Sequence, residues 1–225
     1  MTLDFAAVAS RWPLFLDGAL MTLRLAAGAT VIGFVIGTFC AIGKRGQVAW
    51  IRKACTAYVE VIRNTPLLVQ IFLVYFGLAS FGLKLDAVTV AMAALTINVG
   101  AYATEIMRAG FDSIHQGQLE AAECLALNKR QVYWHVVLLP ALERVYPALT
   151  SQFVLLMLAS SCASQISAEE LTAVANFVQS DTYRPFETYV LVGLAYVALS
   201  VLMRAGFWGL GLALFPRRRR LGTPL

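Results

Sequence analysis

The chain has 225 residues, of which 59% are hydrophobic and only 14% are charged. A water-soluble domain carries about 25% charged residues, so this composition excludes an ordinary soluble protein and indicates an integral membrane protein. The net charge of +5 would suit nucleic acid, but the basic residues lie at the ends of apolar segments, which is typical of membrane orientation. We therefore expect lipid around this chain and no nucleic acid.

Five apolar segments follow one another along the chain. A helix that crosses a bilayer needs about 20 such residues, so the sequence predicts an all-α membrane protein with five spans in a single transmembrane domain over residues 1–225. No basic region typical of a cleavable signal peptide precedes the first segment. The predicted spans are 14–43, 65–82, 87–107, 145–166 and 188–215.

The first span contains a pair of glycines and a basic residue. Gly33 and Gly37 are four residues apart, a spacing that lets another helix approach closely, either within this chain or in a dimer. Arg24 lies about 15 Å along the span, too deep for simple snorkelling to the surface. We expect it to face a cavity or to pair with a neighbour, whereas Arg204 in the fifth span lies near an end and can snorkel.

The second span begins with a helix-start signal, and the third contains polar residues. Pro66 suits the first turn of a helix because its missing N–H would be unpaired there, and Asn64 or Thr65 can cap that helix. The third span contains the polar residues Asn98, Tyr102 and Glu105.

The stretch 108–144 is a long charged loop between apolar segments, which we expect to fold as two short helices outside the lipid. Gly117 can cap the first, with Glu120 in its first turn, where a carboxylate favours the positive end of the helix dipole. Asn128 and Gln131 have the spacing of a capping box for the second.

The distribution of basic residues predicts the orientation. One set of segment ends is strongly basic and the other is not, so the positive-inside rule puts the N-terminus outside, the C-terminus and the 108–144 loop in the cytoplasm, and the acidic segment 167–187 outside. The basic set comprises Lys44, Arg45, Arg52, Lys53, Arg63, Arg108, Lys129, Arg130, Arg144 and Arg217–Arg220, against Arg11, Lys84 and Arg184.

The 108–144 loop resembles the EAA loop of ABC importer permeases, a coupling helix that docks on a cytoplasmic ATPase. The similarity lies in the Glu-Ala-Ala of 120–122, a small residue at Ala126, and the Leu-Pro of 139–140. Two departures alter the turn: Ala126 replaces the usual glycine, and Pro140 comes one residue late. The resemblance implies ATPase-coupling roles for Gly117, Glu120, Ala121, Ala122 and Ala126.

Four further stretches, in the family's order, resemble permeases of the polar amino acid ABC importers. They are 18–23, 58–70, 98–106 and 183–189, and the Arg-Asn-Thr-Pro-Leu-Leu of 63–68 is the most specific. Together the similarities extend over about 14–220. They imply a type I ABC importer permease arrangement with a cytoplasmic coupling helix.

The function implied is that of the transmembrane subunit of an ATP-driven importer, carrying amino acids or similar small polar solutes by alternating access. The implied partners are cytoplasmic ATP-binding cassette subunits, a second permease subunit (identical or a sister chain) and an external or periplasmic solute-binding protein. The location is the bacterial cytoplasmic (inner) membrane. The chain lacks a G-x-x-x-x-G-K-[ST] loop, so ATP and Mg belong to the partner ATPase, and this chain needs no cofactor and is no enzyme.

The family also implies a substrate pathway near the membrane midplane, here through Leu67, Asn98, Tyr102, Glu105 and Ser160. The polar members could instead simply hydrogen-bond neighbouring helices.

Two other classes are alternatives. An ion-coupled secondary transporter or small channel often shows internal repeats, and none is evident between the halves. A membrane enzyme needs a catalytic or metal-binding group, but His115 and His135 have no metal-ligand spacing. The four cysteines form no Cys-x-x-Cys pair and favour buried apolar positions over disulfides.

The fourth span bears on solute charge. Permeases of this family often carry Lys-Asp before Thr-Ser there, whereas this chain has Leu-Ala-Ser-Ser at 158–161. A cationic side chain without a counter-charge is costly in a low-dielectric cavity. Glu105 could supply the charge, but it lies close to Arg108. We predict that this subunit alone does not bind the side chain of a strongly basic amino acid.

Overall fold

A computed structural model describes residues 3–215, and every regular element in that range is helical. Two irregular stretches join α-helices directly: a π-helix at Val132–Leu138 and a 3-10 helix at Ser160–Ile166. Residues 129–166 thereby form one continuous helical run. The α-helices are α1 Phe5–Ala9, α2 Trp12–Arg45, α3 Ala49–Arg63, α4 Leu67–Ser80, α5 Ala87–Asp112, α6 Gln116–Cys124, α7 Lys129–Gln131, α8 Leu139–Ala159, α9 Leu171–Thr182 and α10 Pro185–Leu214.

Four helical runs are long and apolar enough to cross a bilayer individually: α2, α5, the run 129–166 and α10. The fifth crossing is the pair α3 and α4, whose axes are bent by 110°. The all-α fold with five spans is confirmed, but 65–82 is not one crossing helix. With 14 residues, α4 is about 21 Å long, shorter than the hydrocarbon core of about 30 Å. Pro66, in extended conformation, separates it from α3.

The 108–144 loop differs from its predicted form. Since α5 continues to Asp112, only α6 is a separate short helix. The capping box is present, with Gln131 N–H donating to Asn128 Oδ1 and Asn128 N–H to Gln131 Oε1, both at 2.9 Å. However, it opens the long run 129–166 and not a second short helix, because nothing interrupts the chain between 131 and the predicted fourth span.

The helices α2 and α5 pack closely against each other, because small residues at their contact let the two backbones approach. A Cβ atom added at Gly33 would lie 2.3 Å from Val99 Cγ1, and one added at Gly37 would lie 2.7 Å from the Gly100 carbonyl oxygen. Both glycines are buried against α5 of the same chain. The glycine pair therefore packs within this chain, and the dimer alternative is wrong.

The two helices run parallel, which fixes the level of Arg24. Gly33 faces Val99, and further along, Lys44 meets Glu105. Arg24 precedes Gly33 by nine residues, at the level of the first turn of α5. Arg24 and Lys44 are separated by about 30 Å along the helix, the thickness of the hydrocarbon core. When the charged cluster of Lys44, Glu105 and Arg108 is taken as one membrane surface, Arg24 falls at the opposite surface and not about 15 Å inside it, because α2 is longer than the bilayer.

Candidate functional site

The break between α3 and α4 is closed by one buried amide. Gln70 is 6% exposed, and its Nε2 donates to the carbonyl oxygens of Ile62 at 2.8 Å and Thr65 at 3.0 Å. It also contacts Thr65 Oγ1 at 2.9 Å. Carbonyls at a helix end have no partner within the helix, and inside a membrane they need one from the protein. Gln70 supplies it.

Two hydrogen bonds attach the break to the middle of α5. Asn98 Nδ2 donates to Gln70 Oε1 at 2.9 Å, with both side chains buried. Tyr58 of α3 donates its hydroxyl to the Ile97 carbonyl oxygen at 2.6 Å. We call Tyr58, Gln70 and Asn98 the midplane network, because residues 97–98 lie near the centre of α5.

A small polar cavity of about 200 Å³ opens next to the network. The Arg63 guanidinium carbon lies 5.4 Å from the centroid of the Tyr102 ring, within the range of a cation–π contact. Glu60 and Asn64 complete its polar lining. The cavity therefore offers a cation, a carboxylate and an amide at the level of the break.

The structure brings together only part of the predicted substrate pathway. Asn98 and Tyr102 lie one turn apart at the break, and Leu67 begins α4. Glu105 lies further toward the end of α5, where Lys44 Nζ contacts its Oε1 at 2.5 Å and Arg108 Nη2 its Oε2 at 2.9 Å. Ser160 is buried and donates to the Met157 carbonyl oxygen at 2.7 Å. Neither Glu105 nor Ser160 belongs to the polar cavity.

Sequence reasoning missed Gln70, Tyr58 and Arg63 as members of this site. A signal was present: Gln70 is a lone amide in an otherwise apolar stretch, four residues after Pro66. A polar side chain in that position points to backbone groups left unpaired by the proline.

The second part of the site is α6 in the 108–144 loop. Gly117 is not its cap, because His115 takes that place with an extended backbone and Gly117 lies inside the first turn. Glu120 is the fifth residue of α6, just beyond the first turn, and is exposed. Ala121 is exposed and Ala122 is buried, while Ala126 has the left-handed backbone φ of 52° in the turn that follows.

Charged contacts join the end of α5, where the loop begins, to α2 and α8. Arg108 Nη1 contacts Asp112 Oδ2 at 2.8 Å, and Arg45 Nη1 of α2 contacts Asp112 Oδ1 at 3.1 Å. Arg144 of α8 donates to the Ser113 carbonyl oxygen. These contacts hold the ends of α2, α5 and α8 together at the point where the chain leaves α5 toward α6.

The predicted acidic segment 167–187 contains two buried acids, Glu187 and the fully buried Glu170. Its Oε2 accepts from the Tyr196 hydroxyl at 2.7 Å, and its Oε1 caps α9 by accepting from Ala173 N–H at 2.9 Å. Burial raises the pKa of the Glu170 carboxyl, and these hydrogen bonds partly offset that rise.

Within residues 3–215, no group of three or more His, Cys, Asp or Glu side chains is placed to hold a metal ion.

The chain combines a broken span at the midplane with a helix that leads into a charged loop. Comparison with known proteins identifies its family. The family described as "Binding-protein-dependent transport system inner membrane component" matches residues 12–213. The chain belongs to this family. It is a permease of the amino acid ABC transporter type.

Individual relatives agree with that assignment. The octopine transport system permease protein OccM of Rhizobium radiobacter is 31% identical over 228 residues, covering 97% of this chain and 93% of that protein. The probable glutamine ABC transporter permease protein GlnM of Bacillus subtilis is 35% identical over 193 residues, covering 86% of this chain and 89% of that protein.

Among solved structures, that of an amino acid ABC transporter with histidines matches with a TM-score of 0.86 and 37% identity. The match covers 97% of this permease and 100% of that chain. An inward-facing structure of the MetNI methionine ABC transporter has a TM-score of 0.74 at 19% identity, which supports the fold alone.

Proposed function

We propose that this permease carries amino acids or similar small polar solutes across the cytoplasmic membrane by alternating access, driven by ATP hydrolysis in a partner chain. The observation that carries the proposal is the broken span. A discontinuous helix near the midplane, beside a helix that continues into an exposed loop, suits a solute site coupled to a distant energy source. No bond in the solute is made or broken.

The solute pathway passes the break between α3 and α4. The Arg63 guanidinium suits a carboxylate, and the Glu60 carboxylate suits an ammonium group, so the polar cavity complements both charges of an amino acid. Asn98 and Tyr102 line the same level of α5. From the family resemblance, Leu67, Glu105 and Ser160 complete the pathway as it opens toward either side.

The energy enters through α6. Gly117, Glu120, Ala121, Ala122 and Ala126 form the surface that docks on cytoplasmic ATP-binding cassette subunits, which bind ATP and Mg. The exposure of Glu120 supports this role. Closure of the ATPase subunits moves α6, which packs on the π-helix Val132–Leu138. This π-helix continues directly into α8, which carries the movement to the helices around the break.

The remaining parts of the assembly follow from the family. A second permease, identical or a sister chain, completes the pathway, and an external or periplasmic solute-binding protein delivers the solute. The charge distribution supports an N-terminus outside and a C-terminus in the bacterial cytoplasm, although Arg63 no longer counts toward it because it lies in the cavity at the break. The arginines at 217–220, which contribute to that distribution, lie outside the described residues.

The test is Glu120→Arg, which reverses the charge on the exposed side of α6. We expect solute uptake to fall by at least about tenfold, the effect of losing roughly 1.4 kcal/mol of docking free energy. The amount of permease in the membrane should stay unchanged, because Glu120 has no described partner within this chain.

The matched control is Gln47→Arg, an exposed position in the turn between α2 and α3 and outside α6. It adds a positive charge of the same kind and should leave uptake close to wild type. Equal losses in both variants, or a cross-link from the 167–187 segment to the ATPase, would contradict the proposed coupling surface.

A further inference from the structure

A second cavity, of about 540 Å³, lies between α2 and α9, on the outer side of the permease and away from the break. Its polar lining consists of Asp17 and Arg24 from α2 and Glu169 from the start of the segment leading into α9. None of these three side chains makes an ion pair or hydrogen bond with another residue of 3–215. The proposed transport function does not use them.

The wall of this cavity is rigid. A Cβ atom added at Gly18 would lie 2.8 Å from Val174 Cγ2, so α2 and α9 are in close contact there. The buried Thr22 hydroxyl accepts from Leu171 N–H at 3.1 Å and approaches Glu170 Oε2 at 3.4 Å. Because these contacts are buried, the positions of Asp17, Arg24 and Glu169 around the cavity are held before any ligand arrives.

The cavity lies at the level of lipid headgroups. Arg24 is at the edge of the hydrocarbon core, and Asp17 is two helical turns further out, by about 10 Å. Below Arg24, the same side of α2 exposes an apolar stripe that runs into the membrane: Val31 is 64%, Val35 47% and Phe39 70% exposed. The helical spacing of seven and four residues aligns these side chains under Arg24 and Asp17.

Along this side of α2 the order is therefore carboxylate, guanidinium, then apolar stripe. A phosphatidylethanolamine has the same order from the water inward: ammonium, phosphate, then acyl chains. The Asp17 and Glu169 carboxylates suit the ammonium group and the Arg24 guanidinium suits the phosphate. We infer that this cavity binds the headgroup of a phosphatidylethanolamine molecule, with one acyl chain along Val31, Val35 and Phe39.

A lipid fits better than a free solute or a second permease. A soluble zwitterion would make no use of the apolar stripe, whereas an acyl chain packs against it by van der Waals contact. A second permease would have to bury three charged side chains, each of which needs a partner in the interface. The inference depends on the membrane position of α2 and not on transport, so it can fail while the proposed function stands.

The experiment measures lipid bound to the intact transporter, extracted in mild detergent and titrated with phosphatidylethanolamine or phosphatidylglycerol. Native mass spectrometry counts the molecules retained per permease chain. Wild type should retain one phosphatidylethanolamine in preference to phosphatidylglycerol. Arg24→Gln should weaken retention of both lipids by about tenfold, as expected for one charge-assisted hydrogen bond. Asp17→Asn should lower only the preference, since phosphatidylglycerol has no ammonium group and Glu169 remains, and the double variant with Glu169→Gln should remove the preference.

Arg204→Gln is the matched control, because Arg204 is also an exposed arginine but belongs to α10 and another cavity. It should leave retention unchanged, and an equal loss in Arg204→Gln and Arg24→Gln would mean unspecific charge attraction.

Glycerophosphoethanolamine, which has the headgroup without acyl chains, should compete poorly. Competition equal to that of the lipid, or a cross-link from Arg24→Cys to a second permease, would overturn the inference. Asp17 is exposed, so its variant keeps the test valid even if Arg24→Gln folds poorly.

Discussion

At the scale of single residues, Ala126 occupies a position that geometry reserves for glycine. Its N–H donates to the Glu123 carbonyl oxygen at 2.8 Å, and the N–H of Leu127 donates to that of Ala122 at 3.1 Å. These two bonds form a Schellman motif at the end of α6, in which the residue after the cap has a left-handed backbone. The family's usual glycine fits this need directly, so the departure at Ala126 leaves the turn intact but strained.

Replacing this residue by glycine should stabilise the permease. Ala126→Gly removes a left-handed penalty of about 1–2 kcal/mol and adds a smaller unfolded-state cost, for a net gain of about 0.5–1 kcal/mol. Thermal unfolding in detergent measures the shift. Ala57→Gly, at an exposed position in the middle of α3, should move the melting temperature the other way by the helix-propensity cost of about 1 kcal/mol. Destabilisation by both variants would show that the turn is not strained.

The midplane network gives a second prediction at this scale. Asn98→Leu leaves the buried Gln70 Oε1 without its donor, which costs about 1–3 kcal/mol. Gln70→Leu should cost more, because it also leaves the carbonyl oxygens of Ile62 and Thr65 unpaired. Melting temperatures of the two variants and of the double variant check this order, and the double loss should be smaller than the sum. A Gln70 variant as stable as wild type would refute the role of this amide at the break.

At the scale of elements, hydropathy predicted the helices that are apolar throughout and missed those that are not. The helix α3 escaped notice because Arg52, Lys53 and Glu60 interrupt its apolar side chains. The fourth span was assigned to 145–166, although its helical run begins at Lys129, because the charged residues of 129–144 resemble a loop in composition. Backbone hydrogen bonding makes α3 and residues 129–144 helical, but hydropathy does not report backbone hydrogen bonds.

The sequence predicted the α2–α5 contact only as a glycine pair that packs either within this chain or in a dimer. Substitutions at these glycines test how much the contact contributes to stability. Gly33→Ala places a Cβ atom 2.3 Å from Val99 Cγ1 and 2.9 Å from the Thr96 carbonyl oxygen. Overpacking of this kind costs about 1–3 kcal/mol and should lower both melting temperature and yield. Gly193→Ala in α10, where no atom lies within 4 Å of the new Cβ, should stabilise its helix by up to about 1 kcal/mol. Similar behaviour of the two variants would argue against the close approach.

At the scale of the whole molecule, the five-span fold and the family followed from the sequence, while the internal geometry of the site did not. The Arg-Asn-Thr-Pro-Leu-Leu stretch marked the right region, yet its meaning as a break closed by Gln70 depends on contacts between α3, α4 and α5. Conversely, Glu105 was correctly expected beside Arg108, because a spacing of three residues on a helix brings side chains together. Contacts within a helix can be predicted from spacing, but those between helices need the packing.

Solute charge is the prediction that depends on the whole pathway. The carboxylate that the family often has in the fourth span is absent, and the hydroxyls of Ser160 and Ser161 donate to the carbonyl oxygens of Met157 and Leu158. Glu105 is bound by Lys44 and Arg108, so it supplies no counter-charge for a basic solute. We therefore expect that a pocket lined by this permease alone binds glutamine in preference to arginine or lysine.

Ala159→Asp restores a carboxylate to the fourth span and should shift the preference toward arginine by about tenfold, the effect of one charge-assisted hydrogen bond. Ala159→Asn has nearly the same size without the charge and should leave the preference unchanged. Equilibrium binding of radiolabelled arginine and glutamine to the purified transporter measures both ratios. A bound arginine or lysine in wild type, in a pocket lined only by this chain, would show that another group supplies the charge. Glu60 would then be the first residue to replace, because it is the acidic residue that lines the cavity at the break.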